Sequence, residues 1–105
     1  MRKSAILDEI TNLAAEKYPN AELVLFGSHA TGAARPDSDW DILLLLDQET
    51  VDPETEKSIM NDFYELELAT GAVISPLIYS KRLWNQSRPV TPLFKSIRKE
   101  GILLR

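Results

Sequence analysis

Asp39 and Asp41 are the residues of this 105-residue chain best placed to do chemistry. They stand two apart at the head of Ile42-Leu43-Leu44-Leu45-Leu46, an apolar run that reads as a buried strand. Side chains alternate along a strand, so both carboxylates point to one face. Their Cα atoms then lie about 6.5–7 Å apart, within reach of a single ion. Like charges held that close repel unless a cation or a proton sits between them. Magnesium, or manganese in its place, suits such a pair, because magnesium takes one or two carboxylates and completes its octahedron with water and phosphate oxygens. Upstream, Leu23-Val24-Leu25-Phe26 reads as a second buried strand and ends at Gly27-Ser28. With Ser28 capping a short helix over roughly residues 28–32, free N–H groups and a hydroxyl face the same space as the carboxylates. A phosphate cradle beside a carboxylate pair equips a protein for phosphoryl or nucleotidyl transfer.

Other chemistries fit less well. Asp37-Ser38-Asp39-Trp40-Asp41 also opens like a calcium loop, but such a loop needs Gly at its sixth position and Glu at its twelfth, where Ile42 and Gln48 stand. A Walker-type loop needs Gly-Lys-Ser/Thr, and no lysine follows Gly32. A turn-rich loop whose aspartates only cap and solvate is the bland alternative. His29 is the only histidine. It either touches a phosphate or stands exposed and idle, and the second is the expectation. Without cysteine or a second histidine, a zinc site is not expected.

Gly27-Ser28, Thr31-Gly32 and Ser38-Asp39-Trp40-Asp41, followed by an apolar strand, resemble the signature of the DNA-polymerase-β-like nucleotidyltransferases, and within them the minimal nucleotidyltransferase branch. The signature covers residues 27–41; the order of elements resembles that branch over nearly the whole chain. The resemblance implies that Gly27 and Ser28, with Thr31, Gly32 and Ser38, hold a nucleoside triphosphate, and that Asp39 and Asp41 are catalytic and hold magnesium. Two departures stand out. Relatives often carry arginine where Thr31 stands. A third carboxylate, thought to activate the attacking hydroxyl, is usual on the next strand, yet Ala72-Val73-Ile74-Ser75-Pro76-Leu77-Ile78-Tyr79 has no acid. Spacing to Trp84 puts Ser75 at the acidic position.

The elements that must position these residues can be read along the chain. The length fits one domain spanning residues 1–105, and 44% hydrophobic residues suffice for a modest core. Ile6, Ile10, Leu13 and Ala14 share a face of a helix over residues 4–17, with Ser4 as N-cap and Tyr18-Pro19-Asn20 as its end. Strands follow over 21–26 and 39–46, the second lacking polar alternation and so covered on both faces. Pro53 opens a helix to about Ala69, with Ile59, Met60, Phe63, Tyr64 and Leu66 inward and Gly71 at its end. The next strand, 72–79, contains Pro76 and should be an edge or carry a bulge. A short helix from Ser80, a linker over residues 87–90, and a helix capped by Thr91 and opened by Pro92 complete the order. Ile102-Leu103-Leu104 is an apolar tail expected to pack on the sheet. The fold class is α/β (α+β): a mixed sheet of about three strands flanked by helices.

Absence of cysteine points to an intracellular, cytoplasmic protein without disulfides. No signal peptide or membrane span is expected. The net charge of −4 argues against broad nucleic-acid binding, and the small clusters Lys81-Arg82 and Lys95 to Lys99 do not overturn it. The leading expectation is an enzyme that transfers a nucleoside monophosphate from a triphosphate, ATP first, to a hydroxyl of a protein, nucleic acid or small molecule. The resemblance implies a separately encoded helical partner, as in relatives that act as antitoxins and modify a toxin. The alternative is a weak or inactive nucleotide-binding module acting by complex formation, for which Ser75 is the motive. A purely structural domain is the third reading.

Overall fold

A computed structural model describes residues 2–86 and 91–105. The linker over residues 87–90 lies outside them. In chain order the elements are α1 (Lys3–Lys17), β1 (Glu22–Phe26), α2 (Ser28–Thr31), β2 (Trp40–Leu46), α3 (Pro53–Thr70), β3 (Ile74–Ser80), α4 (Lys81–Gln86), α5 (Pro92–Glu100) and β4 (Ile102–Leu103). The strands form one four-stranded sheet in the order β3-β2-β1-β4. β1 is antiparallel to both β2 and β4, and β2 runs parallel to β3, so the sheet is mixed.

The apolar run of β2 makes it the centre of the molecule. Ile42, Leu44 and Leu46 turn to one face, where they meet Leu23 and Leu25 of β1, Ile6, Ile10 and Ala14 of α1, and Ile59 and Phe63 of α3. Leu43 and Leu45 turn to the other face and pack with Ile97 of α5, Val24, Phe26, Leu77 and Trp84. Each such side chain, fully buried, contributes about 1.5–3 kcal/mol of transfer free energy. A strand buried on both faces cannot slip by one residue without inverting both cores.

Local signals fix most element ends. Asp52 accepts the Thr55 N–H at 2.8 Å and caps α3 ahead of Pro53; Gly71 ends that helix in the left-handed conformation, φ 75°. Thr91 accepts the Phe94 N–H at 3.2 Å and caps α5. Ser80 accepts the Leu83 N–H at 3.2 Å while donating to the Gln48 carbonyl at 2.7 Å, so it starts α4 and ties it to the loop after β2. Lys17 pairs with Asp62 at 3.1 Å, and the Tyr18 hydroxyl donates to the same carboxylate. Burial first, and Asp62 second, raise the Tyr18 pKa well above its usual value, so that proton stays. Together these contacts lock the end of α1 to α3. Glu67 reaches from α3 to accept the Ile74 N–H at 2.6 Å, anchoring the start of β3.

Several expectations need correction. The sheet has four strands, because the apolar tail joins it: Leu25 pairs with Ile102 and Val24 with Leu103. Ser4 does not cap α1; the N-cap is Arg2, and no side chain caps it. On α3, Met60 and Tyr64 face solvent at 44% and 54% exposure, while Ile59 and Phe63 face the core. Pro76 lies on β3, an edge strand as expected. No helix among the described residues is long and apolar enough to cross a membrane.

Phe63→Ala should therefore cost about 3–5 kcal/mol of unfolding free energy by urea titration. Met60→Ala, one residue around the same helix, should cost less than about 0.5 kcal/mol, as surface substitutions do.

Candidate active site

The two aspartates lie where β2 begins. Trp40, between them, is only 4% exposed and joins the α1/α3 core, which turns Asp41 to the opposite face. In register Asp41 is paired with Phe26, the last residue of β1, and with Ser75 on β3. The Ser75 hydroxyl stands 3.5 Å from Asp39 Oδ2, a long contact in which the hydroxyl donates. Asp39, Asp41 and Ser75 are thus gathered at one end of the sheet. Burial of its carboxyl raises the Asp41 pKa above the ordinary carboxylate value; the Asp39 charge raises it further, and His29 pulls the other way. A partly buried acid beside a second acid is an arrangement that a bound cation would relieve.

Gly27 closes the site from the β1 side. Its φ is +72°, and it is the N-cap of α2; Ser28 is the first helical residue rather than the cap, and no side chain caps this helix. A Cβ on Gly27 would stand 2.2 Å from Asp41 Oδ2. Only glycine lets the turn come so close to that carboxylate. The remaining loop residues sit as follows. The Ser28 hydroxyl has no hydrogen-bond partner among the described residues. Thr31 is exposed, with its hydroxyl donating back to the Ser28 carbonyl at 3.4 Å. Gly32 ends α2. Ser38 Oγ accepts the Arg35 N–H at 2.8 Å and shapes the turn before Asp39. The structure therefore brings Gly27, Asp39, Asp41 and Ser75 together, leaves Ser28 free beside them, and commits the Thr31 and Ser38 hydroxyls to the loop itself.

His29 departs from expectation. It is half-buried, stacked on Trp40 with ring centroids 3.6 Å apart and planes 5° apart, and its Nε2 lies 3.1 Å from the Ser38 carbonyl. The contact links residues on either side of the loop, and no local sequence signal announces it.

The donor set fits a divalent cation held by two carboxylates. No cluster of three or more acidic, histidine or cysteine residues occurs among the described residues, so water and substrate oxygens would supply the other ligands. Glu65 is exposed, and Glu67 is committed to the Ile74 N–H. A concavity of about 310 Å³ adjoins the loop, lined by Pro36, Asp37, Ser38, Trp40 and Val73 among others. A cleft of about 570 Å³ lined by Tyr18, Asp47, Asp52 and Thr55 lies at the far end of β2. Leu46 is five residues from Asp41, about 17 Å along an extended strand.

A nucleotidyltransferase domain model matches residues 7–99, nearly the whole chain. The chain belongs to the nucleotidyltransferase domain family. No curated protein matches it. Solved structures share its fold. A toxin–antitoxin crystal structure with AMP-PNP aligns at a TM-score of 0.69 and 21% identity, covering 94% of this chain and 72% of that one. An MntA–HepT toxin–antitoxin structure aligns at 0.65 and 18%, covering 98% and 72%. A complex of tri-AMPylated Shewanella oneidensis HEPN toxin with MNT antitoxin aligns at 0.65 and 18%, covering 99% and 72%. At these identities the likeness concerns the nucleotidyltransferase fold.

The raised pKa of Asp41 gives a signed expectation. The folded, metal-free protein holds that proton more tightly than the unfolded chain, so the stability linked to it is present at acid pH and lost as pH rises through the raised value. Without metal, wild type should lose stability relative to Asp41→Asn as pH rises above the ordinary carboxylate range, measured by urea titration at a series of pH values. Parallel curves for the two proteins would show that Asp41 is not destabilised by its surroundings.

Proposed function

We propose that this nucleotidyltransferase domain transfers a nucleoside monophosphate, adenosine monophosphate in the first instance, from the triphosphate to a hydroxyl acceptor. The observation that carries the reading is the contact of Gly27 with Asp41: the turn that receives phosphate and the carboxylate that receives a cation are within touching distance. Gly27 and Ser28 bind the phosphates, through backbone N–H groups and the unpartnered Ser28 hydroxyl. Thr31, Gly32 and Ser38 shape the loop around them. Asp39 and Asp41 would hold Mg2+ or Mn2+, which would supply positive charge to neutralise the phosphates. The acceptor oxygen attacks the α-phosphorus; the bond from that phosphorus to the bridging oxygen breaks and pyrophosphate leaves.

Proteins of this fold occur in complexes with AMP-PNP and with an AMPylated HEPN toxin, which supports adenine as the base and a toxin-like second protein as partner and acceptor. Proton removal is the weak point. Ser75 is paired with Asp41 where a third acid would act, and a serine is no general base near neutral pH. The acceptor hydroxyl must lose its proton to a group on the acceptor or partner. The same observation favours a second reading, a nucleotide-binding module that acts by complex formation with slow turnover or none.

Isothermal titration with ATP and Mg2+ tests the site. Wild type should bind, and the double variant Asp39→Ala/Asp41→Ala should not; equal binding by both sinks the assignment. Ser28→Ala should weaken triphosphate binding by about 1–3 kcal/mol, the worth of a hydrogen bond to a charged group. Its melting temperature should stay within about 10 °C of wild type. Labelled ATP with Mg2+ and the partner separates the readings, since label transferred in an Asp39-dependent way rejects the binding-only module. Ser75→Asp should raise the transfer rate or tighten Mg2+ binding while lowering metal-free stability, because it adds a third negative charge to the pair. If it leaves metal affinity and stability untouched, Ser75 does not stand at the acidic position.

A further inference from the structure

The proposed reaction gives His29 no role, yet His29 is a second link, beside the close approach of Gly27 to Asp41, between the phosphate turn and the carboxylate pair. It follows Ser28 directly in α2. Its ring lies flat on Trp40 at 3.6 Å, and Trp40 stands between Asp39 and Asp41. Its Nε2 lies 3.1 Å from the Ser38 carbonyl; a carbonyl only accepts, so Nε2 carries the proton and donates. Ser38 and Trp40 flank Asp39, so one ring holds the backbone on both sides of that carboxylate. The other end of each contact is also fixed. Ser38 donates its N–H to the Arg35 carbonyl at 3.0 Å and accepts the Arg35 N–H on Oγ at 2.8 Å, while the Trp40 N–H donates to the Val73 carbonyl at 2.8 Å. His29 Nδ1 is buried without a hydrogen-bond partner. A buried nitrogen left bare costs free energy, so the ring is held there by the stack and its single donor bond, against the preference of Nδ1.

We propose that His29 is a positioning residue that couples phosphate binding at the Gly27-Ser28 turn to cation binding at Asp39 and Asp41. The inference rests on the assignments made under the proposed function. A phosphate that fixes α2 fixes the His29 ring, and through it Ser38, Trp40 and the carboxylates they carry. By linkage, a cation that fixes the carboxylates tightens the turn by the same factor. Without the ring, the approach of Gly27 to Asp41 and the pairing of Phe26 with Asp41 remain, but nothing ties α2 to Ser38 and Trp40 except the small, turn-forming stretch Gly32-Ala33-Ala34-Arg35-Pro36-Asp37, so the coupling weakens. A purely structural ring would behave differently. Its removal would lower stability and leave the coupling unchanged in whatever protein remains folded.

The test uses the full chain, Mg2+ and a non-hydrolysable ATP analogue, with affinities from isothermal titration. The coupling is the ratio of analogue affinity with saturating Mg2+ to that without. His29→Phe keeps the stack and removes the donor; His29→Ala removes both; a thermal melt reports the folded fraction of each. The ratio should fall about fivefold in His29→Phe, the equivalent of one hydrogen bond, and about tenfold or more in His29→Ala. Analogue affinity without Mg2+ should change less than about twofold, because the turn itself is intact. An unchanged ratio in folded His29→Phe and His29→Ala overturns the proposal. If His29→Ala does not fold, His29→Phe decides alone, and an unchanged ratio there overturns it. A ratio that depends on Asp39 but not on His29 overturns the coupling and leaves the nucleotidyltransferase reading standing. A wild-type ratio that survives Asp39→Ala removes that reading, and the coupling falls with it.

Discussion

Repulsion between Asp39 and Asp41 is the force the surrounding structure must resist. Two carboxylates left to themselves would splay apart, or one would take up a proton; the upward shift at Asp41 comes first from burial and second from the Asp39 charge. What holds them is the strand on which they stand. β2 is buried on both faces and hydrogen-bonded on both edges, so its start cannot relax without disturbing two cores at once. The cost of bringing like charges together is met by apolar burial several residues away. A cation bound there, as proposed, would find its ligands already assembled, and little of its binding free energy would go into ordering the protein.

Around that strand the site is built from backbone shape more than from side chains. Gly27 approaches Asp41 because it has no Cβ, and the loop returns to β2 through a turn held by Arg35 and Ser38. The aromatic stack of His29 on Trp40 then bridges the loop from within. This arrangement keeps the Asp39-to-Asp41 segment rigid although it follows a stretch of small residues.

Much of this was legible because the signals were local. The apolar runs at Leu23 and Ile42, the Pro53 and Gly71 bounds of α3, the Thr91-Pro92 start of α5 and the edge position of Pro76 each follow from chemistry within a few residues. The period of two that puts Asp39 and Asp41 together is equally local. What stayed hidden depends on distant partners. Ile59 and Phe63 compete at helical spacing with Met60 and Tyr64, and only the position of the sheet decides which pair is buried. β4 has too few residues to carry a strand pattern. The chain enters it through Gly101, where a Cβ would stand 2.5 Å from the Ile97 carbonyl oxygen and 2.8 Å from Val24 Cγ1, a closeness that only the folded partners reveal. The His29 ring meets Trp40 across a loop, and neither residue's neighbours predict the other. The nucleotidyltransferase domain model extends over residues 7–99, well beyond the 27–41 signature, while the roles proposed for the individual site residues are argued from geometry.

Pro76 and Glu67 together shape what can approach the β3 edge. The Val73 carbonyl accepts from Trp40, so the backbone groups of 73, 75 and 77 turn toward β2 and those of 74 and 76 turn outward. Of these outward positions, Ile74 has already given its N–H to Glu67, and Pro76 has none to give. An incoming extended chain would find no ladder of donors to zip onto beside Ser75. The sheet is therefore blunt at this end, offering few donors to an added strand. A polypeptide that comes to the edge beside Ser75 finds less to hold in the backbone than in the side chains around it.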